Sequence, residues 1–293
     1  MKILLTGGTG FIGKALTEEL VSFGHELTVI SRSKEGSEKN IKFIQWDKES
    51  IQDAVNKSDI VINLTGESIA KKRWTKEQKD LLYKSRIITT QLIVNAINNS
   101  PNKPNKLIST SAVGIYGDRG EEKLTEISKV GDGFLADLCK EWEFEANKAK
   151  TNVVILRIGV VLGKNGGALE KILPPFKFFV GGPLGSGNQY MSWIAIDDVI
   201  GLIKLAIETD NINGVLNAVS PNPVTNKEFS NILGKVLHRP SFMPAPEFAL
   251  KLLLGEMSEL LLSSQRVVPE TVLQLGYRFK YAKLESALTE ILK

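Results

Sequence analysis

The sequence predicts an α/β protein built on a Rossmann-type, doubly wound parallel sheet with a smaller C-terminal substrate lobe. Three observations predict it. The chain opens with a short apolar strand that runs into glycines at three-residue spacing and then into an amphipathic stretch. Apolar, β-rich runs then recur with helical patterns between them, the alternation that gives a parallel sheet covered on both faces by right-handed crossovers. The tail changes texture, with Pro240, Pro244 and Pro246 breaking the alternation before a leucine-rich helical stretch.

Ile3, Leu4 and Leu5 form the first strand, and residues 15–23 the amphipathic helix behind it. Between them lie Thr6, Gly7, Gly8, Thr9, Gly10, Phe11, Ile12 and Gly13. Gly7 allows a tight reversal, Gly10 lets a pyrophosphate approach the backbone, and Gly13 lets the helix pack close to the sheet. The phosphates then rest on free N–H groups at the positive end of the helix. Gly24 closes that helix and residues 26–31 form the second strand. Further strands are expected at 41–46, 60–64, 106–111, 153–161 and 215–219, with helices at 76–98, 134–148, 197–208 and 226–237. The glycine-rich segments 163–167 and 181–187 read as surface loops. The stretch 247–262 reads as one helix whose stripe of Phe248, Leu252, Leu253, Leu254, Leu260 and Leu261 serves the core or a lobe interface. This organisation assigns residues 1–220 to an NADP-binding Rossmann domain and 221–293 to the small lobe, with 164–190 contributing to the lobe.

At 293 residues the chain is long enough for one large core or for a large and a small lobe. Its 37 basic and 33 acidic residues are spread along the chain, so the net charge of +4 marks no nucleic-acid or membrane surface. A single cysteine, Cys139, excludes an internal disulfide, and the N-terminus opens on a strand rather than a signal peptide; both point to the cytoplasm. His25, His238 and one cysteine do not make a usual zinc set, so no metal is expected.

The second strand ends in Ser31, Arg32 and Ser33, where an NAD-preferring protein usually places an acidic residue. An arginine with serines beside it offers donors to a 2′-phosphate and argues for NADP. Asp47 either accepts from the adenine amine or caps the helix that begins near Glu49. Leu64, Thr65, Gly66 and Glu67 form a second strand-end turn against the cofactor. Glu67 is either a proton acceptor or the partner of Lys71, Lys72 or Arg73.

Thr6 to Gly13, Asn63-Leu-Thr-Gly66, Ser109-Thr-Ser-Ala-Val-Gly-Ile-Tyr-Gly117 and Trp193-Ile-Ala-Ile-Asp-Asp198 together resemble the extended short-chain dehydrogenase/reductases of the NAD-dependent epimerase/dehydratase superfamily. Gly66 to Trp74, Gly181 to Gly187 with Met191-Ser-Trp193, Leu253 to Met257 and Ser264 to Val267 are similar to its atypical, SDR39U1-like branch. The resemblance covers nearly the full length. It implies a Rossmann domain with a small lobe over the cofactor cleft, and catalysis by a serine, a tyrosine and a lysine, the last two as Tyr-x-x-x-Lys on a helix. There the lysine holds the nicotinamide ribose and lowers the tyrosine pKa. Ser111 fits the serine and Lys140 the lysine, but four residues before Lys140 stands Ala136, which has no proton to give. Tyr116 is the nearest replacement phenol, in a stretch that in related enzymes serves the pocket or packing. Glu67, Asp137 and Glu141 remain as further donors. Met191, Ser192 and Trp193 resemble a wall over the substrate, and Asp197 and Asp198 open a helix as a cap and charge pair. Arg157, inside an apolar strand, requires a carboxylate, phosphate or carbonyl partner.

The sequence thus reads as an NADP-dependent oxidoreductase or epimerase-like enzyme acting on a small polar substrate, nucleotide-linked ones included. The alternative is a catalytically inactive NADP(H)-binding regulatory or sensor protein. The expected partner is a small-molecule substrate, with no nucleic acid and no membrane; a homodimer is left open.

Overall fold

The computed structural model describes residues 1–32 and 34–293. In chain order its first half runs β1 (Lys2–Thr6), α1 (Phe11–Ser22), β2 (Glu26–Ile30), β3 (Gly36–Glu38), β4 (Ile41–Ile44), α2 (Lys48–Asn56), β5 (Ile60–Asn63) and α3 (Lys76–Tyr83). A π-turn (Lys84–Ile88), α4 (Thr89–Asn99), β6 (Lys106–Ala112), a 3-10 turn (Val113–Tyr116), β7 (Lys123–Leu124) and α5 (Phe134–Ala146) follow. Next come β8 (Asn152–Ile158), β9 (Val160–Gly163), β10 (Gly166–Gly167), α6 (Leu169–Lys177), β11 (Tyr190–Met191), β12 (Trp193–Ala195), α7 (Ile196–Glu208) and β13 (Gly214–Ala218). The tail holds β14 (Val224–Thr225), α8 (Asn226–Leu237), α9 (Glu247–Leu254), a 3-10 turn (Gly255–Ser258), α10 (Glu259–Leu262), β15 (Arg266–Val267), α11 (Glu270–Gln274) and α12 (Leu284–Ile291).

The main sheet has the order β13-β8-β6-β5-β1-β2-β4-β3 and is parallel except where β3 runs against β4. Alternation along β1 sorts its side chains between two cores. Ile3 and Leu5 pack with Leu16 and Leu20 of α1 and Val199 and Ile203 of α7; Leu4 faces Val55 of α2 and Ile93 and Ile97 of α4. Full burial of each such side chain contributes about 1.5–3 kcal/mol. The chain leaves β1 toward β2 and β4 on one side and returns to β5 on the other. That reversal opens a crevice at the carboxyl ends of the strands.

A third core joins the lobe to the small β10-β9-β12 sheet: Leu162, Trp193 and Phe176 pack with Phe229 and Leu233 of α8 and Leu284 and Leu288 of α12. Thr225 and Glu228 close the start of α8 with a reciprocal capping box. Asp198 is fully buried and accepts from the Lys280 N–H at 2.7 Å, the Tyr281 N–H at 3.0 Å and the Tyr277 hydroxyl at 3.2 Å. It clamps the C-terminal segment rather than capping α7, whose cap position is Ala195. Asp197 pairs with Lys280 at 2.5 Å.

The sequence reading needs correction in five places. The helix expected at 76–98 contains the π-turn, and the strand expected at 153–161 breaks at Gly159, where a Cβ would lie 2.4 Å from Ser192 O. Segment 163–167 is a hairpin, not a loop: Cβ atoms on Gly163, Gly166 and Gly167 would lie 2.5–2.7 Å from the Phe11 ring, so these glycines make its seat. Segment 181–187 is held against the tail, with a Leu184–Ala245 bridge and Gly182 pressed on Met243. The stretch 247–262 breaks at Gly255, whose φ of 61° a helix cannot continue, and α9 buries none of its residues. Phe248, Leu252 and Leu253 are more than two-thirds exposed, at 73%, 79% and 72%, so this part of the stripe is not core.

These contrasts set an expectation for urea denaturation. Gly13→Ala places a methyl 2.1 Å from Gly7 O and should cost about 1–3 kcal/mol. Leu252→Ser on exposed α9 should stay within about 0.5 kcal/mol of the parent. The opposite order would contradict the packing described.

Candidate functional site

The β1–α1 turn is built by close backbone approach. Gly7 has a φ of 72°, and a Cβ on it would lie 2.6 Å from Leu64 O at the end of β5. A Cβ on Gly13 would strike Gly7 O and Gly8 Cα at 2.1 and 2.6 Å, and Gly8 is sealed against Val29 and Leu5. Gly10 is the N-cap of α1 and carries no side chain to satisfy the first turn, which also lacks an acidic residue. The N–H groups of Phe11, Ile12 and Gly13 are therefore free to bind an anion, and Thr9 and Gly10 are exposed beside them. The residues present fit a dinucleotide pyrophosphate: the turn leaves a cradle that any side chain would fill.

Side-chain hydrogen bonds lock β1 to β5 beneath this turn. The Thr65 hydroxyl donates to Thr6 Oγ1 at 2.6 Å, and the Thr6 hydroxyl to Asn63 Oδ1 at 2.7 Å. Asn63 Nδ2 donates to Thr90 Oγ1 at 2.9 Å, which also receives the Trp142 indole N–H at 2.9 Å. Gly66 lies over the Arg86 guanidinium, where a Cβ would come within 3.2 Å. Glu67 pairs with Lys71 at 2.9 Å, the salt-bridge alternative of the sequence reading.

On the other side of the crevice, β2 ends at buried Ser31, whose Oγ accepts from the Lys34 N–H at 3.0 Å, and at exposed Arg32. Ser33 lies outside the described residues. Asp47 caps α2 through the Ser50 N–H at 2.8 Å, and that bond holds its carboxyl below the usual range. The capping alternative is thus realised.

At the end of β6 the expected catalytic residues diverge. Ser111 is buried and donates to Glu143 Oε1 at 2.7 Å. Tyr116 is fully buried; its hydroxyl accepts from Arg157 Nη1 at 2.9 Å and lies 2.8 Å from Asn217 Oδ1 and 3.0 Å from Thr125 O. Burial pushes this phenol up from its ordinary pKa. It is a structural post, and the geometry gives it no route to a proton transfer in the cleft. Lys140 lies on the exposed face of α5, with Asp137 and Glu141, and Glu141 is taken by the Tyr83 hydroxyl at 2.5 Å. A helix turns about 100° per residue, so the inward position one step earlier belongs to Cys139. That thiol is buried beside Ser111 and Arg86, and burial pushes it up to about 11, with the Arg86 charge pulling the other way. Ser192 and Trp193 do not wall a cleft either. Ser192 donates to Gln265 O at 2.6 Å, tying the start of β12 to the tail, and fully buried Trp193 donates to Asn222 O at 3.0 Å in the loop after β13.

Arg157 has the partner its burial demands: Nε and Nη2 each meet the Glu143 carboxylate at 2.8 Å. Burial works against the arginine's charge, but this fork holds it protonated above the ordinary range. Glu143 was missed in the sequence reading although it shares the inward stripe of Cys139, Trp142 and Ala146. Arg86 was missed too; its signal is the four-residue spacing from buried Leu82 and to buried Thr90.

Fold and site together define a dinucleotide-binding protein of the Rossmann class. The chain belongs to the NAD dependent epimerase/dehydratase family, whose model matches residues 3–218, and within it to the SDR39U1-like epimerase family proteins. Residues 245–291 match a domain of unknown function (DUF1731). A chloroplastic SDR39U1 homolog of Arabidopsis thaliana is 43% identical over 303 residues, covering 100% of this chain and 87% of the relative. The crystal structure of human epimerase family protein SDR39U1 (isoform 2) with NADPH superposes with a TM-score of 0.91 at 37% identity, covering 99% of each chain. A nucleoside-diphosphate sugar epimerase from Corynebacterium glutamicum gives 0.80 at 32% identity, covering 100% of this chain and 58% of that one. Among the described residues no helix is long and apolar enough to cross a membrane.

Two outcomes follow from the geometry around β6. Glu143→Gln strands the Arg157 charge and should cost about 3–5 kcal/mol, and Tyr116→Phe about 1–3 kcal/mol, in denaturant titrations. Unchanged stability in both would contradict the structural role of this network. Cys139 should resist maleimide at pH 7.5 in the folded protein and react in urea; rapid labelling of the native state would contradict its burial.

Proposed function

We propose that the protein binds NADP(H) across the crevice and acts as an oxidoreductase or epimerase-like enzyme on a small polar substrate. The observation that carries this reading is the Gly7–Gly13 cradle, whose missing Cβ atoms leave α1's first N–H groups bare. Thr6 to Gly13 hold the pyrophosphate, Arg32 with Ser31 receives the 2′-phosphate, and Leu64 to Glu67 border the nicotinamide half. The dinucleotide, when bound, would supply hydride chemistry; the chain supplies orientation through the strand-end turns. Residues 1–220 form the cofactor domain and 221–293, with 164–190, the lobe over the substrate. The single buried thiol is compatible with a cytoplasmic location, although one relative is named chloroplastic.

The second reading, an NADP(H)-binding regulatory protein without turnover, is favoured by one observation. The helix positions that resemble a Tyr–Lys pair hold Ala136 and an outward Lys140, and Tyr116 is sealed. Incubation of a small-metabolite extract with protein and NADP(H), read by untargeted mass spectrometry against cofactor alone, separates the two. A metabolite changed only with protein establishes the enzyme; none, with NADPH bound, favours the regulator. For the cofactor itself, Arg32→Ala should weaken NADPH binding at least about tenfold more than NADH binding, as loss of a charge-assisted phosphate contact requires. Equal losses would remove Arg32 from the 2′-phosphate site.

A further inference from the structure

Arg86 is drawn into the protein at the β5 and β6 ends without an acid of its own. Its guanidinium packs under Gly66 and over the Trp142 ring, 5.2 Å from the centroid. Nη2 donates to Glu67 O at 3.0 Å, and Nη1 to Leu82 O at 3.3 Å and Ser85 Oγ at 3.4 Å. All three acceptors are neutral. The nearby Glu67 carboxylate is committed to Lys71, and Glu143 to Arg157 and Ser111. The Nε–H and one Nη2 hydrogen have no acceptor among the described residues. Burial lowers the pKa of Arg86, yet a guanidinium stays protonated at any pH the protein meets. A fixed positive charge with two spare donors is therefore held beside the Gly66 turn.

The π-turn at Lys84–Ile88 is what sets it there, since its wider winding re-aims one side chain without ending the helix that α3 and α4 continue. Of the other basic groups near this end, Lys140 is exposed, Lys71 is paired with Glu67 and Arg157 with Glu143, and the Cys139 thiol is neutral at pH 7. With the adenosine half on the β2 side of the reversal, a dinucleotide's nicotinamide half runs over β5 and β6, toward Gly66 and Arg86. The oxidised nicotinamide ring carries a positive charge and the reduced ring none.

We propose that Arg86 is the fixed cation of the nicotinamide end of the cleft and makes the site hold NADPH in preference to NADP⁺. The proposal rests on the cofactor reading above. Coulomb repulsion from the partly buried guanidinium acts on the oxidised ring alone, so the effect is a ratio of affinities and not a general loss.

The test is calorimetric titration of NADPH, NADP⁺ and 2′,5′-ADP into the parent protein, Arg86→Met, Arg86→Gln and Arg86→Lys at pH 7.5. The parent should bind NADPH at least about tenfold more tightly than NADP⁺. Arg86→Met and Arg86→Gln should bring that ratio close to one with 2′,5′-ADP affinity unchanged, and Arg86→Lys should keep most of it. Arg86→Gln carries the result if Arg86→Met does not fold. A parallel loss of both dinucleotides, or an unchanged ratio, overturns the proposal while leaving the cofactor reading intact. A parent that binds neither dinucleotide nor 2′,5′-ADP overturns both.

Discussion

The structure depends on backbone-to-backbone contact at the first turn. Gly13 can approach Gly7 only because no Cβ intervenes, and Gly7 in turn touches Leu64 O across the reversal of strand order. These contacts bring the start of α1 down onto the strand ends and leave its N–H groups facing the crevice. Larger side chains would lift α1 from the sheet, loosening the core of Ile3, Leu5, Leu16 and Leu20 and closing the anion site together. Stability and ligand geometry are thus set by the same two glycines, Gly7 and Gly13.

A second constraint lies at the far end of the crevice. The Arg157–Glu143 fork joins β8 to α5, and Ser111 and Tyr116 are drawn into it. A buried charge pair needs its partners satisfied, and the Ser111 and Tyr116 hydroxyls serve here as ligands to the ion pair. This fixes the rotation of α5, presenting Cys139 inward and Lys140 outward. In the proposed reading the charge near the nicotinamide end comes from Arg86, on the π-turn that packs against α5.

What was legible in the sequence is what short-range chemistry decides. The glycine spacing, the alternation of Ile3, Leu4 and Leu5 and the salt bridge of Glu67 to Lys71 all follow from local pattern. The demand of Arg157 for a partner was legible, but not that Glu143 meets it, because helix rotation against a strand is settled by packing. For the same reason Lys140 fits a spacing and still points away. The seat of the Phe11 ring among Gly163, Gly166 and Gly167 needs two segments distant in sequence, and so those glycines resembled a loop. The exposed face of α9 was illegible for the opposite reason: its apolar residues follow a core pattern and find no core.

The central claim is the location and direction of the dinucleotide, and a crystal structure of the protein with NADPH tests it most directly. The account predicts the pyrophosphate on the N–H groups of Phe11 to Gly13, the 2′-phosphate at Arg32 and the nicotinamide between Gly66 and the end of β6. A cofactor bound elsewhere, or with its nicotinamide over β2 and its adenine over β6, would contradict it.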